Sequence, residues 1–389
     1  MKNDNIILRV SKTFHDSLKI KCKRLGVKKS DFIRNAVEKF DLIKEFNFSE
    51  IVKDYKESKE EDKEEIVSLI FDYYRNNGFP YTEFSDEECY KKMKNIYKTR
   101  KYFSDKDVFK FNIVGLALAN YFHPHMYEAK YENKMSPREA FDNDEKFKDC
   151  INRVFQMGNK PTPAKMRAIL KTRNGVRCVG NFRPIIAKYI YETYCPQGGV
   201  AIDPCSGFSG RLLGCIAANK DILYDGIDVD PRTMLGNSRC ASLFYDQYDF
   251  RFSFNLGRAE NILRSKKDDY ADLVFTSPPY FNLERYSEDG EQSSNKYNQY
   301  DIWREKFLKT VLLESYRTLK SGGYCIMNTK NINKYDIYDD MLVLAKDIGF
   351  VFEKEYKIQL INNEFLRSKN KSNNFHYEPI AVLKKRNSF

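Results

Sequence analysis

The second half of the chain is predicted to fold as an α/β domain around a doubly wound, largely parallel sheet. From about residue 185 onward, apolar segments that each end in a turn alternate with segments of helical periodicity. The strand segments are GGVAIDP, ILYDGIDVD, DFRFSFNLG, YADLVFTSPPY and GGYCIMNTK, and helices are predicted over residues 211–219 and 303–319. Ligands of such sheets bind beyond the carboxyl ends of the strands, so these turns are where we expect a site.

The length and composition indicate a protein of two or three domains. The chain has 389 residues, 31% of them charged, and no apolar run of membrane-spanning length. Its nine cysteines are dispersed without a CxxC pair, and it has only four histidines. This composition argues against a zinc site and a disulfide framework, and it predicts a cytoplasmic protein that neither spans a membrane nor needs a metal.

The charge of the chain is unevenly distributed, although the net charge is +11. Residues 1–40 contain eleven Lys and Arg against four Asp and Glu, whereas residues 41–70 contain five against ten. A basic start is typical of a surface that meets a polyanion, and it also fits the solvated surface of a lysine-rich chain. Charge alone leaves both interpretations open.

A short strand and two helices are predicted within residues 1–42. Ile6, Leu8 and Val10 alternate on one strand face, a first helix ends at Gly26, and a second begins at Ser30. Elements of this size cannot bury their apolar faces alone. We therefore expect this segment to pair with a second copy of itself.

The sequence IILRVSKTFHDSLKIKCKRLGVKKSDFIRNAVEKF resembles a ribbon-helix-helix module, a family in which two strands pair across a dimer and enter the major groove of DNA. The base-facing positions that the resemblance implies are Asn5, Ile7 and Arg9, and the phosphate-holding positions are Lys28, Lys29 and Ser30. It also implies a homodimer on double-stranded DNA. The alternative is an added segment that only dimerises.

Two further regions separate this module from the α/β pattern. Residues 43–78 are predicted to be a charged helical connector, solvated along its length, and residues 79–175 a mostly helical region whose role the sequence leaves open. His123 and His125 lie in the second region, where we expect them to pack or hydrogen-bond rather than bind a metal. Residues 176–389 then form the predicted catalytic domain.

The first strand of the α/β pattern leads into a loop suited to a nucleotide-like ligand. The loop DPCSGFSG precedes a helix, whose free N–H groups and neighbouring glycines let the backbone approach a ligand closely. About 18 residues after Gly210 the next strand ends in Asp228, a spacing that suits a carboxylate accepting hydrogen bonds from a ribose. The alternative is that Asp228 only caps a turn.

The sequence TSPPY at residues 276–280 follows the most apolar predicted strand. Two consecutive prolines fix the backbone and remove two N–H donors, so their carbonyl groups stay free. Tyr280 adds a flat ring beside these rigid acceptors. Such a corner is suited to holding a planar heterocycle by its exocyclic amine, whereas a merely rigid turn with a packed tyrosine would leave its position at the ligand end of the sheet unexplained.

Together these motifs resemble the class I S-adenosylmethionine-dependent methyltransferases that act on base amino groups in DNA. The resemblance covers about residues 176–385 and implies a Rossmann-like sheet, although Cys205 stands where phenylalanine is usual and Ser209 replaces the second glycine of the cofactor loop. The catalytic residues that it implies are Ser277, Pro278, Pro279 and Tyr280, and the cofactor-binding residues are Asp203, Ser206, Gly207, Gly210, Asp228, Glu260, Asn181, Phe182 and Arg183.

The chemistry implied by this resemblance is methyl transfer to a flipped base. Hydrogen bonds from the amine to Ser277 Oγ and the Pro278 carbonyl would localise the nitrogen lone pair, and Tyr280 would stack on the base. Carbon-5 methylation needs a cysteine at this strand end, and none is present. Serine at the first position is found mostly in the cytosine amino enzymes of the family, so cytosine N4 is predicted, with adenine N6 as the alternative.

Target recognition and partners are less closely specified. Arg285 and Tyr286 follow the corner in an aromatic, polar segment and are predicted to contact the DNA strand, unless this segment is a lid. A cognate restriction nuclease is a partner that such an enzyme can have. Two rival hypotheses are a ribbon-helix-helix regulator with an inactive methyltransferase fold, and an enzyme that methylates RNA or a protein amine.

Overall fold

The computed structural model describes residues 48–287, 290–332, 334–360 and 376–387. The predicted ribbon-helix-helix module, with its six predicted DNA-binding residues, lies outside the described residues. Within these ranges, no helix is long and apolar enough to cross a lipid bilayer. The described chain divides into two compact units, and the chain passes from one to the other at Gly78, Cys150 and Lys165.

The smaller unit consists of residues up to Gly78 together with residues 151–165. Its helices α1 (Phe48–Glu57) and α2 (Glu60–Asn77) were predicted as a solvated connector. Instead, Tyr74 is buried and donates a hydrogen bond to the Pro161 carbonyl at 2.6 Å. The apolar side chains that remain between the many charged residues are enough to give this segment a packed face.

The larger unit is built on a nine-stranded sheet and one two-stranded ribbon. The strands are β1 (Phe103–Asp105), β2 (Val108–Phe109), β3 (Lys130–Tyr131), β4 (Val200–Asp203), β5 (Ile222–Asp228), β6 (Phe250–Leu256), β7 (Ala271–Thr276), β8 (Glu284–Arg285), β9 (Leu319–Asn328), β10 (Val351–Leu360) and β11 (His376–Lys384).

The helices after α2 are α3 (Asp86–Lys98), α4 (Leu116–Phe122), α5 (Pro137–Asp142), α6 (Asp144–Gln156), α7 (Pro163–Thr172), α8 (Pro184–Tyr194), α9 (Gly210–Ala218), α10 (Pro231–Phe244), α11 (Ala259–Ser265), α12 (Ser293–Lys296), α13 (Tyr300–Trp303), α14 (Lys309–Thr318) and α15 (Ile337–Ile348). A short 3₁₀ helix covers Pro124–Tyr127, and a π-helical turn, Arg304–Leu308, joins α13 to α14.

The large sheet has the strand order β1-β2-β10-β11-β9-β7-β4-β5-β6. Strands β9, β7, β4, β5 and β6 are parallel, and β11 lies antiparallel between β9 and β10. The order of the strands reverses at β4, beside β7, which is where ligands of doubly wound sheets bind. The predicted α/β fold class is confirmed, and each of the five strands predicted in the second half of the chain is present.

Both faces of the sheet are covered, as parallel sheets require. Alternate residues of β7 show this: Phe275 packs in the core beneath α8, α9 and α10, and Val274 packs in the core beneath α11, α14 and α15. The near-continuous apolar sequence of β7 follows from this double burial. The sequence TSPPY begins at Thr276, the last residue of the strand, and continues into the turn that follows it.

Residues 79–150 and 166–175 belong to the same compact unit as the sheet, rather than to a separate region. The two-residue strand β2 pairs with β10 in parallel and extends the sheet. Phe109 of β2 is buried and lies 5.2 Å from the ring of Tyr356 on β10. Strands of two residues are too short to produce a periodic pattern, so the sequence predicted only helices and loops here.

Candidate active site

A cavity of about 560 Å³ opens at the carboxyl ends of the parallel strands. Its lining comes from the turns after β4, β5, β6, β7 and β9 and from the segment before α8. The predicted site residues in this lining are Asn181, Phe182, Arg183, Ser206, Gly207, Gly210, Asp228, Glu260, Ser277, Pro278, Pro279, Tyr280 and Tyr286. Residues distant in sequence therefore meet in the crevice that the strand pattern predicted.

The loop between β4 and α9 is closely fitted to its neighbours. Gly207 has a positive φ of 55° and donates its N–H to Asp228 Oδ2 at 3.0 Å. A Cβ atom at Gly210 would lie 2.1 Å from the Phe182 carbonyl oxygen, so only glycine fits there. Gly210, which is displaced from the position of the second glycine in the family's loop, is thus required here because the segment before α8 approaches it closely.

A buried polar network holds this loop from behind. Asn237 on α10 donates from Nδ2 to the Gly207 carbonyl at 3.1 Å, which fixes its amide orientation, and its Oδ1 accepts from Ser209 Oγ at 2.6 Å. The single hydroxyl proton of Ser209 is used in that bond, so His123 Nε2, 2.6 Å from Ser209 Oγ, carries a proton and donates. His123 thus belongs to the hydrogen-bond network that holds the cofactor loop. Burial of its ring lowers the pKa of His123 well below the usual value.

Asp203 lies outside the cavity lining and is fully buried behind it. Its Oδ2 accepts from Arg211 Nε at 2.7 Å and from the Tyr224 hydroxyl at 2.7 Å. Arg211 in turn donates to the Cys205 carbonyl of the loop. A buried carboxylate needs such partners, and this pair fixes the first turn of α9 against β4. Asp203 is therefore placed to support the cofactor loop through Arg211.

Asp228 ends β5 with its carboxylate at the cavity wall. One oxygen accepts the Gly207 N–H and the other accepts the Asp230 N–H, each at 3.0 Å. Each oxygen keeps a lone pair for a further donor. Burial raises the pKa of Asp228 to about 6, although the two backbone N–H groups act in the opposite direction.

These features fit the adenosyl and ribose parts of S-adenosylmethionine. Asp228 offers two acceptor oxygens for the two ribose hydroxyls, and Gly207 and Gly210 leave the loop without side chains that would fill the space. Glu260 is buried in the lining after β6, and its Oε1 accepts from the Tyr297 hydroxyl at 3.1 Å. Asp228, Gly207 and Glu260 would therefore hold the cofactor's nucleoside.

The affinity for S-adenosylmethionine is expected to fall as the pH is lowered through about 6. An ionised carboxylate can accept from both ribose hydroxyls more strongly than a protonated one, and Asp228, whose pKa burial raises to about 6, gains a proton below that pH. Calorimetry between about pH 5 and pH 7 should show the dissociation constant rising by about tenfold per pH unit on the acid side. In an Asp228→Asn variant the affinity should be weaker and independent of pH, and a flat profile for the natural protein would contradict this role.

The corner after β7 is held in a single arrangement. Thr276 Oγ1 accepts from the Cys205 N–H at 3.2 Å, which ties the corner to the cofactor loop. Phe281, directly after Tyr280, has a φ of 51°, an unusual conformation for a bulky residue. Its buried ring lies 5.7 Å from that of Trp303. Packing of the aromatic core thus enforces the sharp exit of the chain from the corner.

Residues of β9 and β11 position the side chains of the corner. The Tyr280 hydroxyl donates to Glu378 Oε1 at 2.8 Å, and Glu378 Oε2 pairs with Lys330 Nζ at 3.2 Å. Asn328 Nδ2 donates to the Pro379 carbonyl at 3.0 Å, which leaves Asn328 Oδ1 as the acceptor for Ser277 Oγ at 3.3 Å. Asn328, Lys330 and Glu378 were not predicted as site residues, although the first two lie in the predicted strand segment GGYCIMNTK.

Cys205 is the cysteine of the cavity lining that adjoins the corner. Burial raises the pKa of its thiol well above the usual value, so the sulfur stays protonated and is a poor nucleophile. A protonated thiol in the cofactor loop does not provide the cysteine nucleophile that methylation at carbon 5 of cytosine needs.

The two residues predicted to contact DNA after the corner occupy different positions. Arg285 is exposed on β8, which pairs with β3. Tyr286 instead turns into the cavity wall, donates its hydroxyl to Glu284 and lies with its ring 5.8 Å from that of Phe208. Successive side chains of an extended chain point to opposite sides, so Arg285 and the next residue, Tyr286, face different ways. Tyr286 therefore lies beside the cofactor loop rather than on an outer surface.

Across the ranges that the structure describes, no group of three or more His, Cys, Asp and Glu side chains is arranged to hold a metal ion. His123 and His125 lie 5.6 Å apart between ring centroids, and each hydrogen-bonds a hydroxyl of the loop or of α10, Ser209 and Thr233 respectively.

Comparison with protein families places a known domain on this site. Residues 271–389 match a family of N6/N4 methyltransferases described as DNA methylase. The matched segment begins at β7, so it includes the Ser-Pro-Pro-Tyr corner, Asn328 and Glu378 but not the loop after β4. The match supports an enzyme that methylates DNA.

Several solved structures resemble the chain at low sequence identity. A S-adenosylmethionine-dependent methyltransferase from Methanosarcina mazei is 14% identical, with 51% of this chain and 98% of that chain covered and a TM-score of 0.35. A methyltransferase from Pyrococcus furiosus is also 14% identical, with 57% and 94% covered and a TM-score of 0.35. A TehB-like methyltransferase from Corynebacterium glutamicum is 14% identical, with 62% and 97% covered and a TM-score of 0.33. A comparison with curated proteins gives no match.

Proposed function

We propose that the protein transfers a methyl group to the exocyclic amine of a base flipped out of double-stranded DNA, and that this base is cytosine, methylated at N4. Adenine N6 is the alternative. The observation that carries the proposal is the hydrogen-bond polarity of Ser277, whose hydroxyl proton is directed to Asn328 Oδ1 at the wall of the cavity.

That polarity selects an amine. The Tyr280 hydroxyl gives its proton to Glu378, and Asn328 Oδ1 is left to accept from Ser277. Ser277 Oγ then presents only lone pairs to the cavity, and the proline carbonyls beside it are also acceptors. A base amine can satisfy these acceptors, whereas the carbonyl groups of thymine, which has no exocyclic amine, would leave them without donors.

The corner prepares the amine for reaction by hydrogen bonding and position. An amine nitrogen that donates to Ser277 Oγ and to the Pro278 carbonyl is drawn toward a pyramidal geometry with a localised lone pair. Tyr280, held through its hydroxyl, offers its ring face to the flipped base. S-adenosylmethionine, when bound, supplies an electrophilic methyl group. Ser277 is not required as a strong base, since the amine can lose its proton to water after the transfer.

The choice of cytosine over adenine rests on Ser277 at the first position of the corner. The amine environment described above would accept either base. Serine at this position is the pattern of the cytosine amino enzymes that the sequence resembles, and this favours N4-methylcytosine as the product.

The first 42 residues are proposed to tether the enzyme to duplex DNA as a ribbon-helix-helix homodimer. Such a tether raises the local concentration of the catalytic domain at its target without adding catalytic contacts. A cognate restriction nuclease remains a proposed partner, and a cytoplasmic location is proposed from the composition.

The test is to incubate the full chain with labelled S-adenosylmethionine and, separately, unmethylated plasmid DNA, RNA and a protein mixture. Nucleosides from the labelled nucleic acid are then identified by mass spectrometry. We expect label in DNA as N4-methylcytosine. N6-methyladenine would support the alternative, 5-methylcytosine or label confined to RNA or protein would refute the mechanism, and cofactor binding without transfer to any acceptor would favour the inactive-regulator hypothesis. A Tyr280→Ala variant that still binds cofactor serves as the background control.

A further inference from the structure

One wall of the cavity comes from the helical region whose role the sequence left open and from the residues directly after that region. Tyr131 of β3, Lys171 of α7 and the following residues Arg177 and Cys178 all line the cavity. They lie outside the matched methylase segment, which begins at residue 271. Because these four residues share a cavity with the Ser-Pro-Pro-Tyr corner, we expect them to contact a ligand that binds there.

This wall is joined directly to the chain that leaves the corner. Strand β3 pairs with β8, so that Tyr131 lies opposite Glu284, four residues after Tyr280. Glu132 also donates its N–H to the Leu283 carbonyl at 2.8 Å. The wall is therefore fixed on the side of the cavity where the base is proposed to bind.

Two cations of this wall lie over aromatic rings. The Arg177 guanidinium is 3.7 Å from the centroid of the Tyr131 ring, and Lys171 Nζ is 4.9 Å from that of Tyr127. Among the residues that the structure describes, neither Lys171 nor Arg177 forms an ion pair with a carboxylate. Arg177 is exposed and Lys171 half-buried, so both remain accessible to a ligand.

The acidic groups on this side of the cavity already have partners. Glu378 accepts from Tyr280 and pairs with Lys330, and Glu284 accepts from the Tyr286 hydroxyl. Neither carboxylate forms an ion pair with Lys171 or Arg177. Cations held over rings beside a site for a flipped base are suited to the phosphate groups of the strand that carries the base.

We propose that Lys171 and Arg177 bind backbone phosphates of the target strand beside the flipped base, so that Tyr131 and residues 171–178 form the strand-binding wall of the active site. This inference rests on the proposed function, since it requires DNA to enter the cavity. It gives the helical region a role in substrate binding that is separate from the N-terminal tether.

The test compares the full chain with a Lys171→Gln/Arg177→Gln double variant, using unmethylated plasmid DNA as substrate between about 50 and 200 mM salt. We expect the KM for DNA to rise by roughly tenfold at the lower salt, and the slope of log affinity against log salt to become shallower by about 1.5. The kcat and the dissociation constant of S-adenosylmethionine should stay within twofold of the natural protein. A Lys94→Gln variant is the matched control, because Lys94 is exposed on α3 away from the cavity lining.

An unchanged KM and salt slope in the double variant would overturn the proposal. So would a weakened affinity for S-adenosylmethionine with an unchanged salt slope, because the two cations would then serve the cofactor's carboxylate. Failure of the proposed function is distinguishable, since DNA would gain no label even from the natural protein. In that case the salt slope of plasmid binding, measured without turnover, still decides whether Lys171 and Arg177 contact phosphates.

Discussion

Replacing Ser277 with alanine is expected to lower kcat by about 100-fold, because removal of one positioned hydrogen-bonding group at a reacting centre typically costs a factor of this size. The variant loses the acceptor that holds the base amine, and Asn328 Oδ1 loses the donor that it has at 3.3 Å. The cofactor loop does not depend on this hydroxyl, so the dissociation constant of S-adenosylmethionine should stay within twofold. Single-turnover kinetics and calorimetry measure the two quantities separately.

A Ser277→Thr variant is the matched control because it keeps the hydroxyl and adds only a methyl group. It should retain more activity than the alanine variant. An Asn328→Leu variant tests the direction of the hydrogen bond made by Ser277. The hydroxyl of Ser277 stays, but it has lost the acceptor that keeps its proton directed away from the cavity. We expect kcat to fall there too. Full activity of Ser277→Ala would exclude the amine-holding role, and a parallel loss of cofactor affinity would indicate a structural effect.

Much of the site was predictable because a parallel sheet brings the ends of its strands to one edge. The DPCSGFSG loop, Asp228 and the TSPPY corner each follow an apolar segment, so their positions on the crevice follow from the fold class alone. Each of these segments contributes to the cavity lining, although Asp203, Ser209 and Thr276 lie behind it. Asp203 differs because it lies on the buried strand itself, where an ionised side chain requires the cation of Arg211.

The supporting residues could not be predicted because tertiary contacts alone define their roles. His123 and Asn237 are separated from Ser209 by 86 and 28 residues, and no local pattern marks either as a partner of the cofactor loop. Lys171 and Arg177 likewise come from a region of weak periodicity, which a pair of two-residue strands connects to the corner. Tyr286 was expected to contact the DNA strand, and it lies in the cavity lining with its ring beside that of Phe208.

Replacing Gly210 with alanine is expected to abolish measurable cofactor binding, with the dissociation constant raised by at least 100-fold. The added Cβ would lie 2.1 Å from the Phe182 carbonyl oxygen and 2.7 Å from Asn181 Oδ1, and both contacts involve the segment that closes the cavity beside the loop. Backbone cannot yield as a flexible side chain can, so the loop and this segment must separate. Overpacking of this kind costs about 3 kcal/mol, and a fall in Tm of roughly 6 °C should accompany it.

Gly180→Ala provides a control with the same chemical change in the same cavity lining. A Cβ at Gly180 would meet no heavy atom within 4 Å, and its backbone lies outside the left-handed region. Cofactor affinity and Tm should therefore match those of the natural protein. Because the two variants differ only in what surrounds the added methyl group, equal affinities would show that the approach of Phe182 to Gly210 does not shape the cofactor site. A lower Tm with normal affinity would assign Gly210 to packing alone, and the cofactor would then have to be held without this loop.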